Sequence, residues 1–344
     1  MQTSTPNPAP VEDAAAAGAE DEEEEAKLFT PALTRRLVGV GLFTVLVYSA
    51  WLFSTDLDKT LASLKQVSGR TIALGLLLST LNYALRCARW HAYLGKLGLN
   101  VPVPESATVF TSGFAMTVTP AKMGEVLKSV LLKKTHKVPI AVTAPVVVAE
   151  RVTDLSGLVL LAAVGALAFE KGLPIAILGG LLVAGLLVVS SWRALGEFIL
   201  RLCEKLPVVN KLVDRLREAY ESLVQLSGPG MTLYATGLST VAWGLQCVAL
   251  LLIAGEIAPG AIDIIESCVS YSAPLLAGTL VLLPGGLGAT EASMTGVLMA
   301  LSDGQLNAAG AAAVALLVRL VTFWWAVALG VVALSYWRLR YGAK

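Results

Sequence analysis

The sequence predicts an all-α, polytopic integral membrane protein, an inverted repeat built on two re-entrant, broken helical hairpins. Three observations carry that reading. Of 344 residues, 56% are hydrophobic and 15% charged, and the mean hydropathy is +0.71; soluble domains carry about 25% charge. Two stretches place proline, glycine and ionisable residues inside apolar sequence: Pro120-Ala-Lys122-Met-Gly124-Glu125-Val-Leu-Lys128 and Pro284-Gly-Gly286-Leu-Gly288-Ala-Thr-Glu291. Each is followed by an arginine within an apolar run, Arg151 and Arg319, and the offsets between the two sets are 164, 166 and 168 residues for proline, glutamate and arginine. Interrupted backbone at membrane depth is tolerated only where it is buried in protein or lines a cavity.

Residues 1–30 read as a disordered acidic tail, with Glu12, Asp13, Glu20, Asp21 and Glu22 to Glu25 against one lysine, Lys27. The net charge of +1 therefore averages two unlike parts. No basic region precedes an apolar core here, so the segment does not read as a signal peptide.

The membrane domain is expected over 31–340. A first span covers about 37–54, after Arg35 and Arg36, and a polar loop with Asp56, Asp58, Lys59 and Lys65 leads to a second at about 70–94. That span ends in Arg86-Cys-Ala-Arg89-Trp90, where arginines near a helix end are expected to snorkel and a tryptophan to sit in the interface belt. Residues 105–119 and 121–135 are two apolar pieces joined at Pro120. Each is shorter than the roughly 20 residues a crossing requires, which suggests a re-entrant hairpin.

A long run over 139–169 carries Glu150-Arg151-Val-Thr-Asp154, and 172–192 is a plain span. Residues 193–226 have apolar residues at helical spacing with arginines and lysines between, an interfacial amphipathic element split by Pro207. The second unit repeats the plan: a span at 231–256, a hairpin of 262–283 and 285–302 broken at Pro284, and a final run over 306–337. The repeats are then about 70–169 and 231–337, joined by a linker over 172–229. An odd number of crossings separates their starts, so their topologies are opposite. Arg35, Arg36, Lys96, Lys133, Lys134, Lys137, the basic amphipathic element, Arg338, Arg340 and Lys344 fall on one side; the other receives Lys59, Lys65, Arg70 and Lys171, with no lysine or arginine over 256–305. Both termini are therefore expected in the cytoplasm, with the chain in the cytoplasmic (inner or plasma) membrane.

Broken helices meeting near the midplane of inverted repeats point to a secondary transporter, because exposed helix N-termini attract anions. The candidate substrate-binding residues are Lys122, Glu125, Arg151, Glu291, Arg319, Asp154, Glu150, Arg86 and Arg89, with Pro120, Gly124, Pro284, Gly286 and Gly288 as hinges. Arginine offers a planar fork for phosphate or carboxylate; the acids neutralise the cations, bind an amine or carry protons. The plainer alternative is structural ion pairing between helices. Cys87, Cys203, Cys247 and Cys268 have no metal or redox spacing and read as packing residues, while His91 and His136 read as solvated interface residues. No phosphate-binding loop, metal motif or nucleophile motif is present, so neither cofactor, metal nor catalytic residue is expected.

These motifs together resemble the transmembrane region of the lysylphosphatidylglycerol synthase family, also called the flippase-like domain. The residues that carry the likeness are Arg86-x-x-Arg89-Trp90, Pro120-x-Lys122-x-Gly124-Glu125-x-x-Lys128, Glu150-Arg151-x-x-Asp154, Pro284-x-Gly286-x-Gly288-x-x-Glu291 and Arg319-x-x-x-Phe323-Trp324. The resemblance spans about 35–340 and implies lipid translocation without the aminoacyl transferase that the best-known members add. The expected substrate is then a phosphate-bearing amphiphile (phospholipid, aminoacyl-lipid or polyprenyl-linked), the partners a membrane lipid and the bilayer, with no nucleic acid. A membrane transferase or hydrolase with Glu125 or Asp154 as general base, and a carrier of a small anion, are the alternatives.

Overall fold

The computed structural model describes residues 56–117, 124–167, 172–191, 228–280 and 284–341, with isolated positions between 169 and 226. The acidic tail, the span at 37–54, the break with Pro120 and Lys122, and most of the amphipathic element over 193–226 lie outside the described residues. Every regular element among those described is helical.

The chain enters through α1 (Leu57–Leu64), where the sequence reading expected only a polar loop. The Asp56 carboxylate accepts the Lys59 N–H at 3.2 Å and caps this turn, and α1 packs against α10, the start of the last long helix (Ala308–Arg319). Helix α2 (Gly69–Lys96) starts at Ser68, whose hydroxyl accepts the Thr71 N–H. The first hairpin follows as α3 (Val103–Ser112), a 3-10 turn over Gly113–Met116, and α4 (Gly124–His136). Helix α5 (Ile140–Ala166) holds Glu150, Arg151 and Asp154 near its middle, and α6 (Leu173–Ser191) is the plain span.

The second half begins with α7 (Pro229–Ile257). Its hairpin is α8 (Ile264–Leu280), a 3-10 turn at Pro284–Gly286, and α9 (Ala289–Leu301), with α8 and α9 in contact. Helix α10 then passes through a π segment (Leu320–Trp324) into α11 (Trp325–Tyr341). At 13 residues, α4 and α9 are each about 20 Å long at 1.5 Å per residue, shorter than a hydrocarbon core of about 30 Å. Among the described residues, three stretches are long and apolar enough to cross a membrane: Gly69–Lys96, Gly230–Ile257 and Ala308–Tyr341.

Helices α2 and α7 run antiparallel along their whole length. Glu256 accepts from the Ser68 N–H at 2.5 Å and from the Ser68 hydroxyl at 2.8 Å. Ser79 donates to Gln246 at 3.0 Å, and Asn82 donates to the Ala242 carbonyl at 2.7 Å. Residue numbers rise on one helix as they fall on the other. The polar contacts suit apolar surroundings, where hydrogen bonds and small residues join helices in place of a hydrophobic drive. Gly157 shows the small-residue half of that rule, since a Cβ there would lie 3.0 Å from the Thr240 backbone of α7.

Each hairpin leans on a long helix of the other half. Helix α8 packs against α5, while α3 and its 3-10 turn pack against α11. One apolar core gathers Trp90, Tyr93, Phe110, Leu131 and Trp337 around the first hairpin. A second gathers Leu250, Ile253, Met294, Leu298 and Val314 around the other. The first core corrects one expectation. Arg89 and Trp90 do not reach an interface: both are fully buried, because α3, α4 and α11 cover the C-terminal third of α2. His136 keeps about a quarter of its side chain exposed, as a solvated residue would, and bonds to Glu105 at 2.7 Å, tying the end of α4 to the start of α3.

Candidate functional site

Glu150, Arg151 and Asp154 occupy one turn of α5, and on an isolated apolar helix they would be costly. The fold surrounds them with polar partners from three other helices. Arg89 of α2 donates from Nη1 to Asp154 Oδ1 at 2.7 Å, to Thr153 at 3.1 Å, and to the Ser239 hydroxyl of α7. Its Nη2 lies 3.8 Å from Glu150. Lys128 of α4 pairs with Glu150, its ammonium 4.5 Å from the Trp90 ring centre and 5.2 Å from that of Phe110. Arg86, one turn before Arg89, reaches Asp154 Oδ2 at 3.2 Å. Its guanidinium lies 5.0 Å from the Trp243 ring centre and 5.8 Å from that of Phe114. Ser239 and Trp243 each donate to Asp154 Oδ1 at 3.2 Å. Arg151, half-buried, lies within electrostatic reach of Asp154, Arg86 and Arg89.

A second ionic centre sits at the tip of the other hairpin. Glu291, at the third position of α9, accepts the Gly288 N–H at 2.6 Å through Oε2 and thereby caps its own helix. Its Oε1 accepts from Arg319 Nε at 2.7 Å, and Arg319 Nη2 donates to the Gly285 carbonyl at 2.8 Å. Gly285, Gly286 and Gly288 have φ of 61°, 68° and 83°, the left-handed region that glycine enters at no steric cost. Phe323 closes over this turn: a Cβ on Gly285 would lie 2.6 Å from its ring, and Arg319 lies 4.2 Å from the ring centre.

Aromatic side chains join the two centres. Phe114 beside Arg86 packs on Tyr83 with centroids 5.0 Å apart. The Tyr83 hydroxyl donates to the Thr322 carbonyl, in the π segment directly after Arg319. Trp243, the second ring beside Arg86, packs on Tyr271 at 6.3 Å. Tyr83 and Tyr271 both lie within electrostatic reach of Arg86 and of Arg319.

The sequence profile described as "Lysylphosphatidylglycerol synthase TM region" matches residues 36–330. The chain belongs to that family. A protein of Methanothermobacter thermautotrophicus described as a "UPF0104 membrane protein" is 27% identical over 289 residues, covering 76% of this chain and 81% of that protein. The profile match embraces both hairpins and both ionic centres, and the fold is that of an α-helical, polytopic membrane protein.

Against that family background, the fold gathers Arg86, Arg89, Glu150 and Asp154 in one cluster, with Arg151 in its field, and Glu291 with Arg319 in another. Gly124 opens α4, Glu125 lies in its first turn with its side chain outside the described residues, and Pro120 and Lys122 lie outside them too. Glu150 and Asp154 have no counterparts in the second half of the sequence, yet they are the acids that organise the first centre. Lys128, Ser239, Trp243, Tyr83 and Tyr271 were not among the expected site residues. The signal for part of this set was present: Thr232, Thr236, Ser239 and Gln246 mark one polar face on the otherwise apolar α7. Among the described residues no group of acids, histidines and cysteines forms a metal site.

Proposed function

We propose that this protein moves a phosphate-bearing amphiphile between the leaflets of the membrane, enclosing the head group while the tails stay in lipid. The observation that supports this best is the cation-rich cluster on the inner faces of α2, α4, α5 and α7. Arg86, Arg89 and Lys128 meet two carboxylates there, at roughly the midpoint of α5, about 20 Å along a helix of about 40 Å. Buried ion clusters contribute little net stability, and hydrocarbon side chains of equal volume often do as well or better. Intramembrane charges of this kind mark substrate and ion pathways. The family to which the chain belongs takes its name from a synthase of a modified phospholipid.

The architecture fits alternating access. The antiparallel α2 and α7 would head two units of opposite topology, each hairpin packed on the last helix of the other unit, with Pro120–Gly124 and Pro284–Gly288 as re-entrant tips. Glu291 and Arg319 would open or close the second tip as the first centre fills. Lys96, Lys134, Lys137, Arg338 and Arg340 lie at helix ends on one side of the bundle; Glu256, Asp263, Glu266 and Asp303 lie on the other, together with Lys59, Lys65 and Arg70 next to Ser68 and Glu256. The basic end is then cytoplasmic, with both termini on that side.

The test is reconstitution into liposomes with three cargoes: fluorescent phospholipids, a polyprenyl phosphate and a small inorganic anion. Protein-dependent exposure of a labelled lipid to an outside quencher is the expected result. Flux of the inorganic anion with no lipid movement would overturn the proposal in favour of an anion carrier, and covalent change of the lipid would make the protein an enzyme.

A further inference from the structure

The three cations of the first centre are not equivalent. Arg89 is fully enclosed, and its Nη1 is shared among Asp154, Thr153 and Ser239. Lys128 is buried between Glu150 and two aromatic rings. Arg89 Nε and Nη2 are buried without a hydrogen-bond acceptor among the described residues, but the whole side chain is enclosed, whereas that of Arg86 keeps 14% of its surface exposed. Arg86 is held differently. Its one hydrogen bond, to Asp154 Oδ2, is 3.2 Å long, where charge-assisted bonds run about 2.7–2.9 Å. Its Nε is buried without any acceptor. The Phe114 and Trp243 rings lie 5.8 and 5.0 Å from the guanidinium, so apolar surface borders it and Nε and Nη2, along one edge, are the atoms left for a further polar contact.

That edge has the right chemistry. Nε and Nη2 point the same way from a guanidinium and form a fork for two oxygens of one tetrahedral or planar oxyanion. In Arg319 the same two nitrogens are both used, on Glu291 and on Gly285. In Arg86 one has no acceptor and the other is weakly engaged. Asp154 does not depend on Arg86, because its Oδ1 already accepts from Arg89, Ser239 and Trp243.

We infer that the Nε–Nη2 edge of Arg86 is a phosphate-binding subsite, at which an incoming phosphate oxyanion replaces Asp154 Oδ2 while Asp154 stays on Arg89. Phe114 and Trp243 are its positioning residues, fixing the plane of the fork. Placing that phosphate on a lipid rests on the translocation reading; the contact itself does not.

The test uses the full-length chain in a phosphate-free sugar detergent. A short-chain phosphatidylglycerol below its micelle concentration and inorganic phosphate are titrated separately by calorimetry. The phosphate ester should bind, and Arg86→Lys should raise its Kd at least about tenfold, since a point charge cannot replace two charge-assisted bonds. Phe114→Leu, which leaves the Arg86–Asp154 and Trp243–Asp154 bonds in place but removes one ring from beside the guanidinium, should raise Kd severalfold, and it serves if Arg86→Lys fails to fold. Equal Kd in the unmodified and variant proteins would overturn the subsite. Inorganic phosphate binding as tightly as the ester, with the same dependence on Arg86, would keep the subsite and make its ligand free phosphate. A lipid that binds through Arg86 but is never translocated in liposomes would sink the transport reading alone.

Discussion

Arg319 and Glu291 are 28 residues apart in sequence and bonded at 2.7 Å, and the same arginine holds the Gly285 carbonyl at 2.8 Å. One guanidinium thus ties the last long helix to both the turn and the first helical residues of the second hairpin. A carboxylate that caps a helix and an arginine that grips a turn form a latch on the tip.

The latch is testable by a double-mutant cycle. Glu291→Gln alone removes the carboxylate that Arg319 Nε meets at 2.7 Å and should cost about 3 kcal/mol or more. Arg319→Gln should cost a similar amount by removing the guanidinium that Glu291 Oε1 accepts from. The double substitution should cost less than the sum, with an interaction energy of about 1–3 kcal/mol. Unfolding midpoints in detergent give the numbers; simple additivity would mean that the pair is not coupled.

Gly285→Ala should destabilise the tip for two reasons. The backbone sits at φ 61°, and the new Cβ would lie 2.6 Å from the Phe323 ring. A cost of about 1–3 kcal/mol is expected, from positive-φ strain together with overpacking. Gly285→Ala with Phe323→Leu should recover the steric part and leave the conformational part.

Asp154→Asn should be the most damaging single change in the first centre. It removes the anion shared by Arg86 and Arg89, and loss of one partner from a buried ionic cluster costs about 3–5 kcal/mol. Ser239→Ala should cost much less, because Arg89 retains Asp154 and Thr153. Thermal unfolding of the two variants side by side checks the order.

Single cysteines test the orientation after the native cysteines are replaced. Lys137→Cys and Arg340→Cys should react with a membrane-impermeant maleimide only from the cytoplasmic side, and Asp263→Cys and Asp303→Cys only from the outside. Reaction of all four from one side would remove the transmembrane arrangement.

Much of the helical plan was legible in the primary structure. Apolar runs are set by hydrophobicity and length, which are local properties, so α2, α5, α6, α7 and the α10–α11 run fall close to their expected places. The breaks at Pro284 and the charged turn of α5 stood out because such residues are rare in hydrocarbon. Some local features escaped even so. The turn capped by Asp56 is a helix and not a loop, since one cap and packing on α10 suffice for two turns. The π segment after Arg319 leaves no composition signal; it is fixed by Tyr83 taking the Thr322 carbonyl and by Phe323 closing on Gly285.

Pairing belonged to the tertiary structure alone. Arg89 and Asp154 are 65 residues apart, and Ser239 lies 85 residues beyond Asp154. No local pattern tells which of several acids an arginine will meet, because that depends on which helices lie side by side. The same reason explains why Arg89 and Trp90 look like interface residues in the chain and are core residues in the fold. Seven residues from a helix end, they would reach water if the end were free; packed under α3, α4 and α11, the arginine can only turn inward to a carboxylate. Hydrophobicity placed the helices in the membrane, and their packing decided which charges neutralise one another and which edge of Arg86 has no acceptor.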